Sequence, residues 1–384
     1  MASGRFSVLR HSLPRLRDLF RTPIPIHFPF PPTCSYLHPR TEVPAIAMAA
    51  SRWWLYVQAV FWRSLMRIGM FLHDQAPPRP PRPTFTRSVR IDDHGNSIIL
   101  HFYCPPEYYQ RRREGHRFPV AVNFHGGGFT LGCATDDSRW CAAVVEHVGA
   151  VVVSVSYRRA PEHPFPAAVD DGVEALLYMA AHSTDLALDI SRVALSGFSA
   201  GGNLAVTVPL RLRGRVSTEV KEHFGRADST QRLVDQTSDL NIVAVFSWYP
   251  ILDFLESREH RRAMSIMPDK SLPSFFTTLF DHSYLPNPSD HSSPFASPVR
   301  ASDRILDEAL PRDVFLYICE WDMLMKEGQH FVRRLEGLGK RVRAMMIEKA
   351  RHAWDKSPNP WRDQDSVNVL YRDACADMKR IFDR

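Results

Sequence analysis

The sequence predicts an α/β protein: a mainly parallel central sheet with helices on both faces and a helical cap. Three observations lead there. Short β-branched or apolar runs recur along the chain, helical patterns separate most of them, and one interval, 253–310, breaks the rhythm with prolines and aromatic residues. Strands that alternate with helices need crossover connections, and such connections build a parallel sheet covered on both sides.

Residues 1–47 carry arginines with few acids, and the prolines of TPIPIHFPFPP stop any continued helix. This stretch reads as an N-terminal extension, with a mitochondrial transit peptide as the minority reading and translation from Met48 as a further alternative. The segment 48–84 follows, beginning near SRWWLYVQAVFWRSLMRIGMFLHD. Its longest uncharged run, Trp53 to Trp62, falls far short of the ~20 apolar residues that a membrane span needs. On a helical wheel Arg52, Arg63 and Arg67 share one side, and Trp, Phe, Leu and Met side chains occupy the other. Residues 48–72 thus suit a peripheral membrane contact or a lid, while a helix packed on the protein's own core is the competing expectation. QAPPRPPRPTF, residues 75–85, is a semi-rigid polyproline linker. The main domain is expected over 85–384.

Within it, strands are expected at SIILHFY, FPVAVNF, GAVVVSVSY, RVALSGF, NIVAVFSWYP, DVFLYIC and RVRAMMIE. Helical patterns fall at about 138–148, 167–182, 201–212, 326–338 and 364–382. The interval 253–310, with PSFFTTLFDHSYLP inside it, reads as a cap or substrate-lining insertion.

Composition narrows the function. Apolar residues make up 44% and charged residues 23%, which is the globular range. The net charge of +6 comes largely from arginines in the first 70 residues, and no nucleic-acid recognition motif accompanies it, so no nucleic-acid partner is expected. The six cysteines are dispersed, which argues against a disulfide scaffold and against a zinc site. No asparagine heads a glycosylation acceptor, and the cytoplasm is the default compartment, with membrane association open.

Chemistry concentrates in a few stretches. Gly197-Phe198-Ser199-Ala200-Gly201 fits G-x-S-x-G, placed after the strand RVALS and before the helix GGNLAVTV, where a tight turn can present a serine hydroxyl. His125-Gly126-Gly127-Gly128-Phe129 closes the strand FPVAVNF. Successive glycines can aim backbone N–H groups at one point, as an oxyanion hole requires, and no G-K-[ST] ending supports a phosphate loop. Gly126, Gly127 and Ala200 are the expected oxyanion donors, with His125 steadying the loop. Serine needs a histidine base oriented by a carboxylate, and behind such an elbow the partners follow in the order Ser, Asp/Glu, His. His352, just past RVRAMMIE, is the expected base; His330 falls inside a helical pattern. Asp322, just past DVFLYIC, is the expected acid, with Glu320 and Asp253 in reserve.

At HGGGF, YRRAPEHPFPAAVDD (157–171), GFSAGGN, Asp322-Met323-Leu324 with Glu327-Gly328, and His352, the chain resembles the hormone-sensitive-lipase-like family of α/β hydrolases, the fold-3 esterases that include arylacetamide deacetylases and plant carboxylesterases. The match runs over roughly residues 90–382. The resemblance implies the α/β-hydrolase fold, a carboxylic-ester hydrolase using Ser199, Asp322 and His352, a small-molecule ester as substrate, no cofactor or metal, and a site covered by N-terminal segments such as 48–72. In the middle motif Glu162 and Asp170 are expected to support the scaffold only. Phe198 departs from the family's usual Asp, which alters the surroundings of the elbow. Two alternatives stand beside the esterase: amide or arylacetamide hydrolysis by the same machinery, and a receptor-like ligand binder on the same fold.

Overall fold

The computed structural model describes residues 45–91, 95–222 and 239–384. The readings of residues 1–44 as extension or transit peptide lie outside the described residues. Residues 45–384 form one compact unit. Eight strands make a single sheet in the order β1-β2-β4-β3-β5-β6-β7-β8. They are β1 (Phe85–Arg90), β2 (Ser97–Tyr103), β3 (Phe118–Phe124), β4 (Val151–Ser156), β5 (Leu188–Phe198), β6 (Ile242–Trp248), β7 (Asp313–Cys319) and β8 (Arg341–Ile347). β2 runs antiparallel to β1 and β4, and the pairs from β4 to β8 are parallel.

Period-two alternation explains why the central strands read as continuous apolar runs: each must bury both faces. On β5, Val193 and Leu195 join one core, while Ala194 and Phe198 join the other. The first core packs α4 (Ala167–Ala181), α5 (Ala200–Glu222) and α9 (Met325–Gly337) on the sheet. The second packs α3 (Ser138–Val148) and α10 (Asp365–Phe382) on the opposite face, through Trp140, Val144, Tyr371 and Met378. Gly149, at φ 75°, ends α3 in the left-handed conformation that glycine allows at a helix terminus.

Two elements were not legible. β1 exposes Thr86, Arg87 and Ser88, because an edge strand buries little and needs no apolar run. The six-residue α2 (Tyr108–Arg113) is too short for a helical period to show. α5 also extends past the expected end near residue 212, carrying Pro209 within it. The interval 253–310 contains α6 (Arg258–Ala263), α7 (Ser274–Tyr284) and α8 (Asp303–Ala309), joined by short 3₁₀ turns.

The first helix, α1 (Ala45–Gln75), meets the body with its arginine side. Arg63 donates to both carboxylate oxygens of Glu162 at 2.6 and 2.8 Å and to the carbonyls of Thr130 and Ala160, both at 2.8 Å. Arg52 reaches the carbonyl of Pro161 at 3.0 Å. Trp62 stacks on Phe275 of α7 with ring centroids 5.2 Å apart. The polyproline stretch is fastened behind it, since Arg139 of α3 donates to the carbonyls of Ala76 and Pro78 at 2.6 and 2.5 Å. Among the described residues no helix is long and apolar enough to cross a membrane.

Candidate active site

β5 ends at Phe198 and α5 begins at Ala200, so one residue makes the whole strand-to-helix turn. That residue is Ser199, at φ 55°. Such a conformation costs a non-glycine residue about 1–3 kcal/mol and persists where its surroundings enforce it. Here the Ser199 N–H donates to the carbonyl of Trp248 at 2.8 Å, and the flanking glycines allow the turn to close. A Cβ on Gly197 would lie 2.2 Å from the Gly201 carbonyl oxygen, and one on Gly201 would lie 1.9 Å from that of Phe124. The G-x-S-x-G spacing is therefore a steric requirement of this corner.

The Ser199 Oγ lies 2.8 Å from Nε2 of His352, and Nδ1 of His352 lies 2.5 Å from Oδ2 of Asp322. Asp322 follows β7 and His352 follows β8, so segments that follow three parallel strands, β5, β7 and β8, converge above their C-terminal ends. The other oxygen of Asp322 accepts the N–H of Leu324 at 3.1 Å, which holds the carboxylate in place. The reserve residues are engaged elsewhere. Asp253 pairs with Arg300 at 2.6 Å, Glu320 accepts the N–H of Lys349 at 2.6 Å, and His330 is exposed on α9.

The HGGG turn lies beside the serine. Ala200 is the first residue of α5, where an N–H has no partner within the helix. Among the described residues, the N–H groups of Gly126 and Gly127 reach no backbone acceptor. Gly127 is at φ 111°, and a Cβ there would lie 2.5 Å from the Leu131 carbonyl oxygen. His125 Nδ1–H donates to the Gly126 carbonyl at 2.8 Å while its ring stacks on Tyr157 with centroids 4.1 Å apart. Carbonyl and N–H of one peptide point in opposite directions, so this bond turns the Gly127 N–H away from the ring. Burial lowers the His125 pKa to about 3, which keeps the ring a neutral prop.

Behind the elbow lies an ion network that the sequence did not disclose. Lys356 Nζ sits 2.9 Å from Asp137 and 3.0 Å from Asp355. The hydroxyls of Tyr249 and Tyr371 donate to the two oxygens of Asp355, each at 2.6 Å. Burial opposes the charge on Lys356, yet Asp137 and Asp355 outweigh it and hold the ammonium well above the usual lysine range. Burial likewise opposes the charge on Asp355, but Lys356 and the two phenols keep its carboxyl below the usual range. The same ammonium stands 4.1 Å over the ring of Phe198, which in turn stacks on Trp248 with centroids 5.5 Å apart. Phe198 thus gives the elbow an aromatic floor under a cation, and ties it to the loop that carries His352. Only proximity in sequence to His352 could have pointed to Lys356.

In the middle motif, Glu162 holds Arg63 of α1, and Asp170 holds Arg211 of α5 at 2.7 Å. The fully buried Asp171 accepts from the Arg158 backbone N–H at 2.7 Å and pairs with its guanidinium at 2.8 Å.

Gly126, Gly127, Ser199 and His352 line a cavity of about 1020 Å³ of empty space, counting its open mouth. Its walls are largely apolar: Phe129, Phe254, Phe276 and Phe280 from the body, Met66 and Met70 from α1. Of its charged members, Arg258 and Asp281 neutralise one another through two hydrogen bonds of 2.8 and 2.6 Å, and Asp137 is paired with Lys356. A serine–histidine–carboxylate line opening on such a cavity is the constellation of a serine hydrolase.

The α/β-hydrolase-fold family is matched over residues 121–356, and the chain belongs to it, in the hormone-sensitive-lipase-like branch. Among similar curated proteins, an AB hydrolase superfamily protein of Schizosaccharomyces pombe is 28% identical over 69% of this chain and 71% of its own length. Carboxylesterase 20 of Arabidopsis thaliana is 33% identical over 50% of this chain and 65% of its own length. Esterase LipI of Mycobacterium tuberculosis is 37% identical over 35% of this chain and 42% of its own length. Of the solved structures, an esterase from Pyrobaculum calidifontis superposes with a TM-score of 0.66 at 27% identity, covering 84% of this chain and 93% of that one.

Proposed function

We propose that the protein is a carboxylic-ester hydrolase that works through an acyl-serine intermediate on Ser199. The observation that carries this reading is the line from Ser199 Oγ through His352 to Asp322, at 2.8 and 2.5 Å, opening on an apolar cavity. Ser199 Oγ attacks the ester carbonyl carbon as Nε2 of His352 takes the hydroxyl proton. Asp322 holds the imidazole in the tautomer with Nδ1 protonated and stabilises the imidazolium that forms. The N–H groups of Gly126, Gly127 and Ala200 receive the negative charge that develops on the carbonyl oxygen. His352 then hands its proton to the departing alcohol oxygen. Water attacks the acyl carbon as His352 takes one of its protons, and the second tetrahedral intermediate collapses by breaking the bond to Oγ, His352 returning that proton to Ser199 as the acid leaves.

Esterase and carboxylesterase relatives support esters as the substrate class, and the apolar cavity walls support lipophilic acyl or alcohol groups. A panel of p-nitrophenyl esters of graded acyl length tests the reading, with acetanilides as the amide comparison. Turnover of esters well above that of anilides is expected. A chain that cleaved neither, and only bound them, would favour the receptor-like alternative.

A further inference from the structure

α1 has its two faces the opposite way round from a helix packed on a core. Its arginine side is held by the body through Arg52 and Arg63, while a bulky apolar stripe faces water. Trp53 is 65% exposed, Phe61 55%, Ile68 59% and Phe71 64%, and Trp54, Val60, Leu65 and Leu72 are exposed beside them. At helical spacing these positions fall on one side, interrupted only by Ser64, over about 28 Å at 1.5 Å per residue. The exposed Phe275 of α7 extends the stripe sideways, because it stacks on Trp62 and shares a shallow cleft with Trp54. Exposing such a row to water is unfavourable without a partner.

We propose that this stripe docks the protein on the surface of an anionic lipid bilayer. Charge selects that occupant over a second protein. Between Arg52 and Gln75 the helix carries three arginines and one acid, Asp74; Arg63 is neutralised by Glu162, while the exposed Arg67 flanks the stripe. The 44 residues that precede the helix contain six arginines against two acidic residues and no lysine. A bulky apolar face with tryptophans at one end and basic charge around it matches the region between lipid headgroups and acyl chains. Docking there would bring the membrane to the wall of the cavity, since Met66 and Met70 on the inward side of the same helix line it. The proposal does not depend on the hydrolase reading, because docking needs no turnover.

Flotation of the full chain with phosphatidylcholine vesicles, with and without about 30% phosphatidylserine, tests it. The wild-type protein is expected to float with the anionic vesicles, less with neutral ones, and less again at high salt. In Ile68→Glu/Phe71→Glu both substitutions are on exposed positions, so circular dichroism and the thermal midpoint should be unchanged. Its ratio of bound to free protein should fall at least about tenfold, as expected for two large apolar side chains lost from the interface. Phe71→Ser, a milder change, should give a smaller loss in the same direction. A wild-type protein that stayed with the soluble fraction would overturn the proposal. So would flotation unaffected by either variant, which would assign binding to charge alone. A dimer by light scattering that the double substitution splits, without flotation, would place a second copy on the stripe instead.

Discussion

Ser199, His352 and Asp322 reach one another from three separate loops, and the strained φ of 55° at the serine is fixed by glycines that tolerate no Cβ. The orienting carboxylate is the most discriminating test of that arrangement. Asp322→Asn keeps the shape but favours the wrong imidazole tautomer, so turnover should fall by up to ~10⁴-fold. Asp253→Asn should leave turnover nearly unchanged, since Asp253 is bound to Arg300; steady-state kinetics on a p-nitrophenyl ester compares the two. Reversed effects would move the acid to the loop after β6. Lys356 is read through stability instead. Lys356→Met strands Asp137 and Asp355 without their shared cation, and loss of one partner from a buried ion group costs about 3–5 kcal/mol. Urea denaturation should register that loss. A change below about 1 kcal/mol would mean that the network holds no buried charge.

Among the elements, α1 has the most specific expectation for activity. Met66 and Met70 line the cavity, so Met66→Ala/Met70→Ala should weaken kcat/KM for long acyl chains more than for acetate, by up to ~0.8 kcal/mol for each CH₂ that loses contact. An equal loss across the ester panel would remove α1 from substrate binding. The same helix marks where the sequence stopped being informative. Its amphipathic pattern was plain, but pattern alone cannot tell which face turns inward, and a guanidinium with carbonyls and Glu162 to receive it can be the inward one. The central strands were legible because burial on both faces makes them mostly apolar, with a few buried polar positions such as Asn123, Ser196 and Ser247 among them. The edge strand β1 was not, since four of its six residues face water. The elbow and the HGGG turn could be read because steric limits fix residue types at fixed spacing. The contact between Lys356 and Asp137 joins residues 219 positions apart, and no local pattern encodes it.

For the molecule as a whole, the junction of α1 with the body should make folding sensitive to acid. Burial first, then the charges of Lys356 and Arg362, lower the pKa of His73 to about 3 from an ordinary value of 6.5. Its ring is held neutral, with Nδ1–H donating to the Ser357 carbonyl at 3.0 Å. The unfolded chain binds a proton there below pH 6.5 and the folded chain does not until about pH 3. The stabilisation is therefore complete above 6.5 and is lost as pH falls through that window, by about 2 kcal/mol between pH 7 and 5. His73→Asn keeps a donor without a titrating group, so its urea stability should fall less over that interval, by about the same 2 kcal/mol; parallel curves would contradict the assignment. Reaction with a fluorophosphonate, followed by intact mass and peptide mapping, tests whether this fold carries a serine hydrolase centred on Ser199. One adduct is expected, on Ser199, with loss of ester hydrolysis in step with labelling, and neither adduct nor hydrolysis beyond a residual level in Ser199→Ala. Labelling at another residue, or near-wild-type turnover in Ser199→Ala, would contradict it.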